Sequence, residues 1–218
     1  MSKNLENIIL IDKPKGITSF DVIRRLRKQT GIRKMGHAGT LDPLATGLMI
    51  IGVNEGTKRM EEFLKLDKTY DAEILLGTRT DTGDLEGEVL EVRDVYDVEE
   101  DYVEEVLNNF QGVFEIPVPK YSAIKKAGKP LYAYAREGID VDAPVKPMKV
   151  YKSKFLGLEE VEEGFLLKVR FDVASGVYIR SLVEYLGGFL DVPATLANLR
   201  RTRVGDFDIK SARTLDKV

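Results

Sequence analysis

The sequence predicts an α+β fold, a mixed and mostly antiparallel central sheet flanked by helices. Three observations carry this expectation. Short β-rich runs alternate with amphipathic stretches without the regular β-α-β rhythm of a parallel sheet. Two long strand-like runs, near residues 148–158 and 165–174, are joined by a short acidic turn ending at Gly164, as an antiparallel hairpin requires. A hydrophobic content of 43% over 218 residues is enough to bury a core in one large domain or two small ones.

Taken in order, Ile8-Ile9-Leu10-Ile11 is a short apolar run stopped by Asp12 and Pro14, a buried strand entering a loop. Thr18 or Ser19 offers an N-cap with Asp21 near the third helical position. Val22, Ile23 and Leu26 follow at helical spacing, and Gly31 closes the helix. Its outer face carries Arg24, Arg25, Arg27 and Lys28, suited to phosphate or to solvent. Residues 48–53 read as a strand, with further strands at about 69–77 and 87–93. Between these two, Asp81-Thr82-Gly83-Asp84 does not make a calcium loop, because Gly83 and Leu85 fall where oxygen ligands are needed. Asp97 is expected to cap a helix with Tyr102, Val103, Val106, Leu107 and Phe110 inward and Gly112 at its end. Residues 117–147 are rich in Pro, Gly and Lys with a short helical patch at 131–136. A segment of this kind within a single catalytic domain spanning 1–218 suggests a mobile insertion over the substrate. The hairpin, a helix over about 178–189 and a final strand near 203–209 complete the chain.

Composition excludes several chemistries. The absence of cysteine removes disulfides, thiolate nucleophiles and cysteine-bearing zinc sites, and a single histidine removes the usual multi-His metal centres. No apolar run reaches membrane-spanning length, and the first residues lack a signal-peptide core, so a cytoplasmic protein is expected. The net charge of −3 hides a strong pattern. Residues 1–60 hold 11 Lys/Arg against 5 Asp/Glu, residues 61–116 hold 4 against 18, and residues 117–218 hold 18 against 13. Two basic ends flank an acidic middle. Contact with RNA phosphate depends on a local positive face, so the acidic total does not argue against it.

Residues 36–49 read Gly36-His37-Ala38-Gly39-Thr40-Leu41-Asp42-Pro43-Leu44-Ala45-Thr46-Gly47-Leu48-Met49, which places one carboxylate among small, apolar or neutral neighbours. Asp42 is the first candidate for chemistry. Pro43 disfavours helical backbone at Asp42, and the glycines around it admit close approach of a ligand. A generic Asp-Pro, by contrast, starts a surface turn.

This block resembles the signature Gly-His-x-Gly-x-Leu-Asp-Pro-x-Ala-x-Gly of the TruB-type tRNA pseudouridine synthases. Five further blocks share the resemblance in the family's order: Asp12-Lys13-Pro14-Lys15-Gly16-Ile17-Thr18-Ser19; Lys68-Thr69-Tyr70 with Gly77-Thr78-Arg79-Thr80-Asp81-Thr82-Gly83-Asp84; Pro119-Lys120-Tyr121-Ser122-Ala123-Ile124-Lys125 with Gly128 and Tyr132; Gly176-Val177-Tyr178-Ile179-Arg180-Ser181-Leu182; and Leu199-Arg200-Arg201-Thr202-Arg203-Val204-Gly205. Val177 stands where the family has Thr. The resemblance implies the pseudouridine synthase fold and isomerisation of the tRNA T-loop uridine at position 55, with tRNA as partner, no cofactor, no membrane, no obligatory protein partner and a monomer. The family's bacterial members commonly continue into a C-terminal RNA-binding module of PUA type. This chain stops at Val218, so a short form with weaker and more salt-sensitive tRNA binding is expected.

The resemblance also implies roles. Asp42 is the catalytic carboxylate, acting by attack at C1′, by attack at C6 or by abstraction of the C2′ proton. Arg180 keeps it ionised, since a guanidinium stays charged and pairs bidentately with carboxylate. Tyr70 stacks on the flipped uracil. Tyr178 and Leu199 contact the target nucleotide, His37 contacts RNA in the loop, and Lys13 with Arg200 and Arg201 meets phosphate or the pocket wall. The rival readings are a non-catalytic structured-RNA-binding protein or tRNA-folding chaperone, a KH-type Gly-x-x-Gly clamp at 36–39, and a glycosylase that releases free uracil.

Overall fold

Ile8–Lys13 forms strand β1, which enters the core at Ile11 because that residue is fully enclosed. It belongs to the first of two compact units in the computed structural model, which describes residues 7–96 and 98–217. The first unit comprises Met1–Asp71 with Asn198–Val218, and the second comprises Ala72–Ala197.

The helix that follows, α1 (Ser19–Thr30), obeys its local code. Thr18 caps it and accepts from the Asp21 amide, the Asp21 carboxylate accepts from the Thr18 amide at 2.8 Å, and Gly31 ends it at φ 73°. The Thr18 hydroxyl, which donates to the Asp21 carboxylate at 2.5 Å, and then the Thr18 amide pull that carboxyl down to about 2. Val22, Ile23 and Leu26 are buried, while Arg24, Arg25 and Lys28 are exposed. Strand β2 (Met35–His37) pairs antiparallel with β3 (Thr46–Val53), and so does β1, from Ile8 opposite Gly52 to Lys13 opposite Gly47. A short helix, α2 (Met60–Leu64), then brings Phe63 inward. The chain leaves the unit in β4 (Lys68–Leu76), whose first residues alternate buried and half-buried as a one-face-buried strand should.

The second unit opens with β5 (Thr78–Thr80), paired with β6 (Val89–Val92). Helix α3 (Glu100–Asn109) buries Val103 and Leu107. Its expected cap, Asp97, lies outside the described residues, and Glu99 holds the N-cap position without a side-chain bond. Next come β7 (Gly112–Pro117), the small pair β8 (Lys125–Lys126) and β9 (Lys129–Pro130), and α4 (Leu131–Arg136), the last as expected. The expected hairpin is the unit's largest feature. Strand β10 (Val145–Val161) runs for 17 residues, antiparallel both to β11 (Gly164–Val173) and to β7. Met148, Val150, Leu167, Val169 and Phe171 make the covered face, each worth about 1.5–3 kcal/mol if fully withdrawn from water. Helix α5 (Ile179–Phe189) adds Leu182, Val183 and Leu186. Phe110, Phe114, Tyr185 and Phe189 join in edge and tilted ring contacts, with Phe110 and Phe114 stacked at 4.8 Å.

The chain returns to the first unit in β12 (Ala194–Val204), pairs β13 (Phe207–Asp208) back on it, and sets β14 (Arg213–Thr214) parallel to β1. β12 also runs parallel to β3, Arg200 opposite Thr46 and Arg201 opposite Gly47. Here the structure corrects the expected strand near 203–209. The strand lies upstream, and 203–209 is its end plus a tight return. In the first unit Ala38, Leu48, Ile50, Phe63, Val204 and Phe207 form one cluster, with Phe63 and Phe207 edge to face at 5.5 Å. Both units thus mix helices with mostly antiparallel strands, the α+β class the sequence predicts. Among the described residues no helix is long and apolar enough to cross a membrane.

Candidate active site

Asp42 sits half-buried in the loop that joins β2 to β3, and almost every neighbour in that loop is anchored. Leu41, Leu44 and Ala45 point into the core. Ser19, at the start of α1, clamps Leu41 from both sides: its hydroxyl donates to the Leu41 carbonyl at 3.0 Å and accepts from the Leu41 amide at 2.8 Å. The Gly16 amide donates to the Pro43 carbonyl, and the Ala45 amide closes a turn on the Asp42 carbonyl. A carboxylate on such a loop has little freedom to move, which is what pre-organised chemistry needs.

Two buried cations complete the anchorage. Lys13 is 0% exposed, and its ammonium donates to the carbonyls of Ala45 at 2.6 Å, Pro14 at 3.1 Å and Pro43 at 3.4 Å. Arg201 is 1% exposed. Its Nε donates to the Leu48 carbonyl at 2.7 Å and its Nη2 to the Gly39 carbonyl at 3.1 Å, so one guanidinium holds both flanks of the loop. The sequence suggested phosphate or pocket-wall contacts for these side chains. The structure shows them enclosed and turned onto backbone, because burying a cation requires that its donors be satisfied. Arg200 is engaged as well, in a bidentate pair with Asp12 at 2.6 and 3.1 Å.

A third cation lies in the same unit. Lys68 donates to the carbonyls of Leu64 and Leu66, and its pKa is pushed down to about 8 by burial and by the Arg201 charge, against the pull of Asp67. His37, at the end of β2, is likewise pushed below its ordinary 6.5, first by burial and then by Arg201, with a hydrogen bond from the imidazole to the Gly39 backbone opposing. Its ring therefore stays mostly neutral near pH 7. A histidine depressed in the folded state contributes stability that is complete above the unfolded value of 6.5 and is lost as pH falls below it. Because the chain has one histidine, a proton NMR titration reads it without assignment. The expected midpoint is below 6.5, and a midpoint at or above 6.5 contradicts this electrostatic picture.

Tyr70 on β4 and Leu199 on β12 are each 8% exposed and belong to the same unit as Asp42. The Leu199 carbonyl accepts from the Thr46 hydroxyl at 3.4 Å.

The other two expected site residues are in the second unit. Tyr178 is the N-cap of α5, its carbonyl accepting from the Leu182 amide at 3.0 Å. Arg180 lies in the first turn and is 8% exposed, not the solvent-facing arginine that such a position usually holds. Its Nη1 donates to the Thr82 carbonyl at 2.8 Å and its Nη2 to the Tyr121 carbonyl at 2.9 Å. Asp84 stands 3.7 Å from Nη1, both side chains being under a tenth exposed. The Asp84 carboxylate is held in turn by the Thr82 hydroxyl at 2.7 Å and the Glu86 amide at 3.1 Å. The sequence assigns Asp84 no role beyond its place in the Asp-Thr-Gly-Asp block. Its signal was the position of that block, since a tight polar turn is what a buried guanidinium needs for partners. Arg180 also lines a cavity of about 950 Å³ within this unit, beside Asp81, Tyr121, Tyr185 and Phe189.

Residues 27–179 match the model of the TruB family pseudouridylate synthase N-terminal domain. The tRNA pseudouridine synthase B of Endomicrobium trichonymphae is 42% identical over 210 residues, covering 96% of this chain and 89% of the relative. That of Aromatoleum aromaticum is 40% identical over 211 residues, covering 97% of this chain and 67% of the relative. Among solved structures, a chain of a Cbf5-Nop10-Gar1 complex superposes with a TM-score of 0.74 at 30% identity over 96% of this chain. A chain of an H/ACA RNP bound to a substrate RNA containing 2'-deoxyuridine gives 0.71 at 28% identity, again over 96%. This chain spans about half the length of those two solved chains, 52% and 51%. With a matching family model over most of its length and relatives near 40% identity, the chain belongs to the TruB family of pseudouridylate synthases.

Proposed function

We propose that the protein isomerises the uridine at position 55 of the tRNA T loop to pseudouridine, with Asp42 as nucleophile or base. The reaction breaks the bond from C1′ to N1, turns the uracil and joins C5 to C1′, while the proton lost from C5 is balanced by one gained at N1. Nothing is oxidised or hydrolysed, so the chemistry asks only for a positioned carboxylate, a pocket and a way to extrude the base. The observation that carries this reading is the Asp42 loop, fixed by Ser19 and held on both flanks by buried cations.

In this reading Arg180 is the second catalytic side chain, and Asp84 with the carbonyls of Thr82 and Tyr121 holds its guanidinium in place. Tyr70 stacks on the uracil, Tyr178 and Leu199 border the nucleotide, and His37 meets the RNA as a neutral ring. Residues 117–147 cover the bound RNA. The protein acts in the cytoplasm as a monomer that needs no partner beyond tRNA.

Mapping of pseudouridine in unmodified tRNA transcripts tests the reading. A single new pseudouridine at position 55 is expected. Modification elsewhere moves the substrate assignment, and release of free uracil makes the protein a glycosylase instead.

A further inference from the structure

We propose that the outer face of α1 is a docking surface for the phosphate backbone of the substrate RNA beyond the target nucleotide. This rests on the reading of the protein as a tRNA-modifying enzyme and adds where the rest of the RNA lies. Helix α1 carries four cations, Arg24, Arg25, Arg27 and Lys28, against one acid, Asp21, which is already bound into the capping box and paired with Arg24. Arg24, Arg25 and Lys28 are exposed. None of the three is needed to hold the helix, whose ends are fixed by Thr18, Asp21 and Gly31.

Phe20 separates this face from an ordinary solvated one. It is 55% exposed, and the guanidinium groups of Arg24 and Arg27 each lie 5.8 Å from its ring centre. Phe20, Arg24, Arg27 and Lys28 recur at helical spacing, so the ring and the charges form one stripe. An aromatic ring among cations is the pairing that single-stranded RNA uses, with a base or ribose on the ring and phosphates on the charges.

The helix that carries the stripe abuts the Asp42 loop: on its inward face Ser19 bonds Leu41, next to Asp42, and Arg27 of the stripe donates to the Met35 carbonyl, two residues before His37. A helix of 12 residues is about 18 Å long, the scale of several successive phosphates. An RNA strand leaving the Asp42 loop thus meets the stripe directly.

Binding of unmodified tRNA transcripts as a function of salt, from about 50 to about 200 mM, tests the surface. Changing Arg24, Arg25 and Lys28 together to Gln keeps helix propensity and removes three charges. The expected result is at least a tenfold loss of affinity at low salt and a salt slope shallower by about 2–3. Changing Lys149, Lys152 and Lys154 of β10 to Gln removes the same charge elsewhere and is expected to alter the slope by less than about 1. Phe20→Ala alone is expected to weaken binding about tenfold. An unchanged slope and affinity in the α1 variant, or an equal change in the β10 variant, overturns the proposal. If wild-type protein forms pseudouridine while the α1 variant binds unchanged, the surface falls and the activity stands. If the slope responds but no pseudouridine forms, the activity falls and the RNA face stands.

Discussion

Asp42→Asn is expected to reduce pseudouridine formation in tRNA by about 10⁴-fold or more while leaving the fold and most of the RNA affinity in place. Losses of this size are typical when a residue that acts directly on the reacting atoms is removed. Asn matches the shape of Asp but has neither the charge to stabilise C1′ nor a lone pair basic enough to attack or take a proton. Stability is expected to change little. Asp42 is half-buried, and the Ala45 amide that closes its turn binds the Asp42 backbone carbonyl, which the substitution keeps. Thermal unfolding, tRNA binding and single-turnover modification, measured on the same preparation, separate these effects. A variant that still modifies tRNA at a tenth of the wild-type rate removes Asp42 from the chemistry. A wild-type protein whose RNA-folding activity survives the substitution in full is a chaperone rather than an isomerase.

The rigidity of the loop sharpens the same point. Asp42→Glu keeps the charge and adds one methylene, and a loop held by Ser19, Lys13 and Arg201 cannot draw back to accommodate it. Displacement of a reacting group by about 1 Å costs about 10²-fold, so Glu is expected to fall between wild type and Asn.

What the sequence disclosed follows how local each signal is. Helix α1 was legible throughout because its cap, its acid at the third position and its closing glycine sit within fourteen residues and need no distant partner. The 148–158 and 165–174 hairpin was legible for the same reason. Strand β12 was not. Its run Leu199-Arg200-Arg201-Thr202-Arg203 is too charged to announce a buried strand, and only the fold supplies the carbonyls of Leu48 and Gly39 that let Arg201 be enclosed there. Nor does anything near Lys13 in sequence announce that three carbonyls will enclose its ammonium. Strand β7 was hidden between the glycine and the proline that bound it, which read as punctuation. Among the site residues, Asp42 stood out because it is a lone carboxylate in a neutral loop. Asp84 did not, because its partner Arg180 is nearly a hundred residues away.

Gly47→Ala is expected to be the most destabilising single change in the signature block, and the reason is packing rather than chemistry. A Cβ at Gly47 would lie 2.3 Å from the Arg201 carbonyl oxygen and 2.7 Å from its amide nitrogen, on backbone at φ 108°. Both obstacles are backbone atoms of β12, so relief requires β3 and β12 to separate where Arg201 stands opposite Gly47. The sequence suggested that the glycines of this block admit a ligand. At Gly47 the thing admitted is the neighbouring strand. Left-handed backbone strain of about 1–3 kcal/mol adds to an overlap that a close-packed core cannot absorb, so a loss of about 4 kcal/mol or more is expected. For a chain of this size that lowers Tm by about 8–16 °C, enough to leave part of the protein unfolded during expression. Gly188→Ala is the control. Its Cβ meets nothing within 4 Å in α5, and the greater helix propensity of alanine should leave Tm unchanged or slightly raised. Calorimetry on the pair decides the matter. If Gly47→Ala melts within about 2 °C of wild type, β3 and β12 are not locked at this point, and Arg201 cannot be the rigid support that holds Asp42 in place.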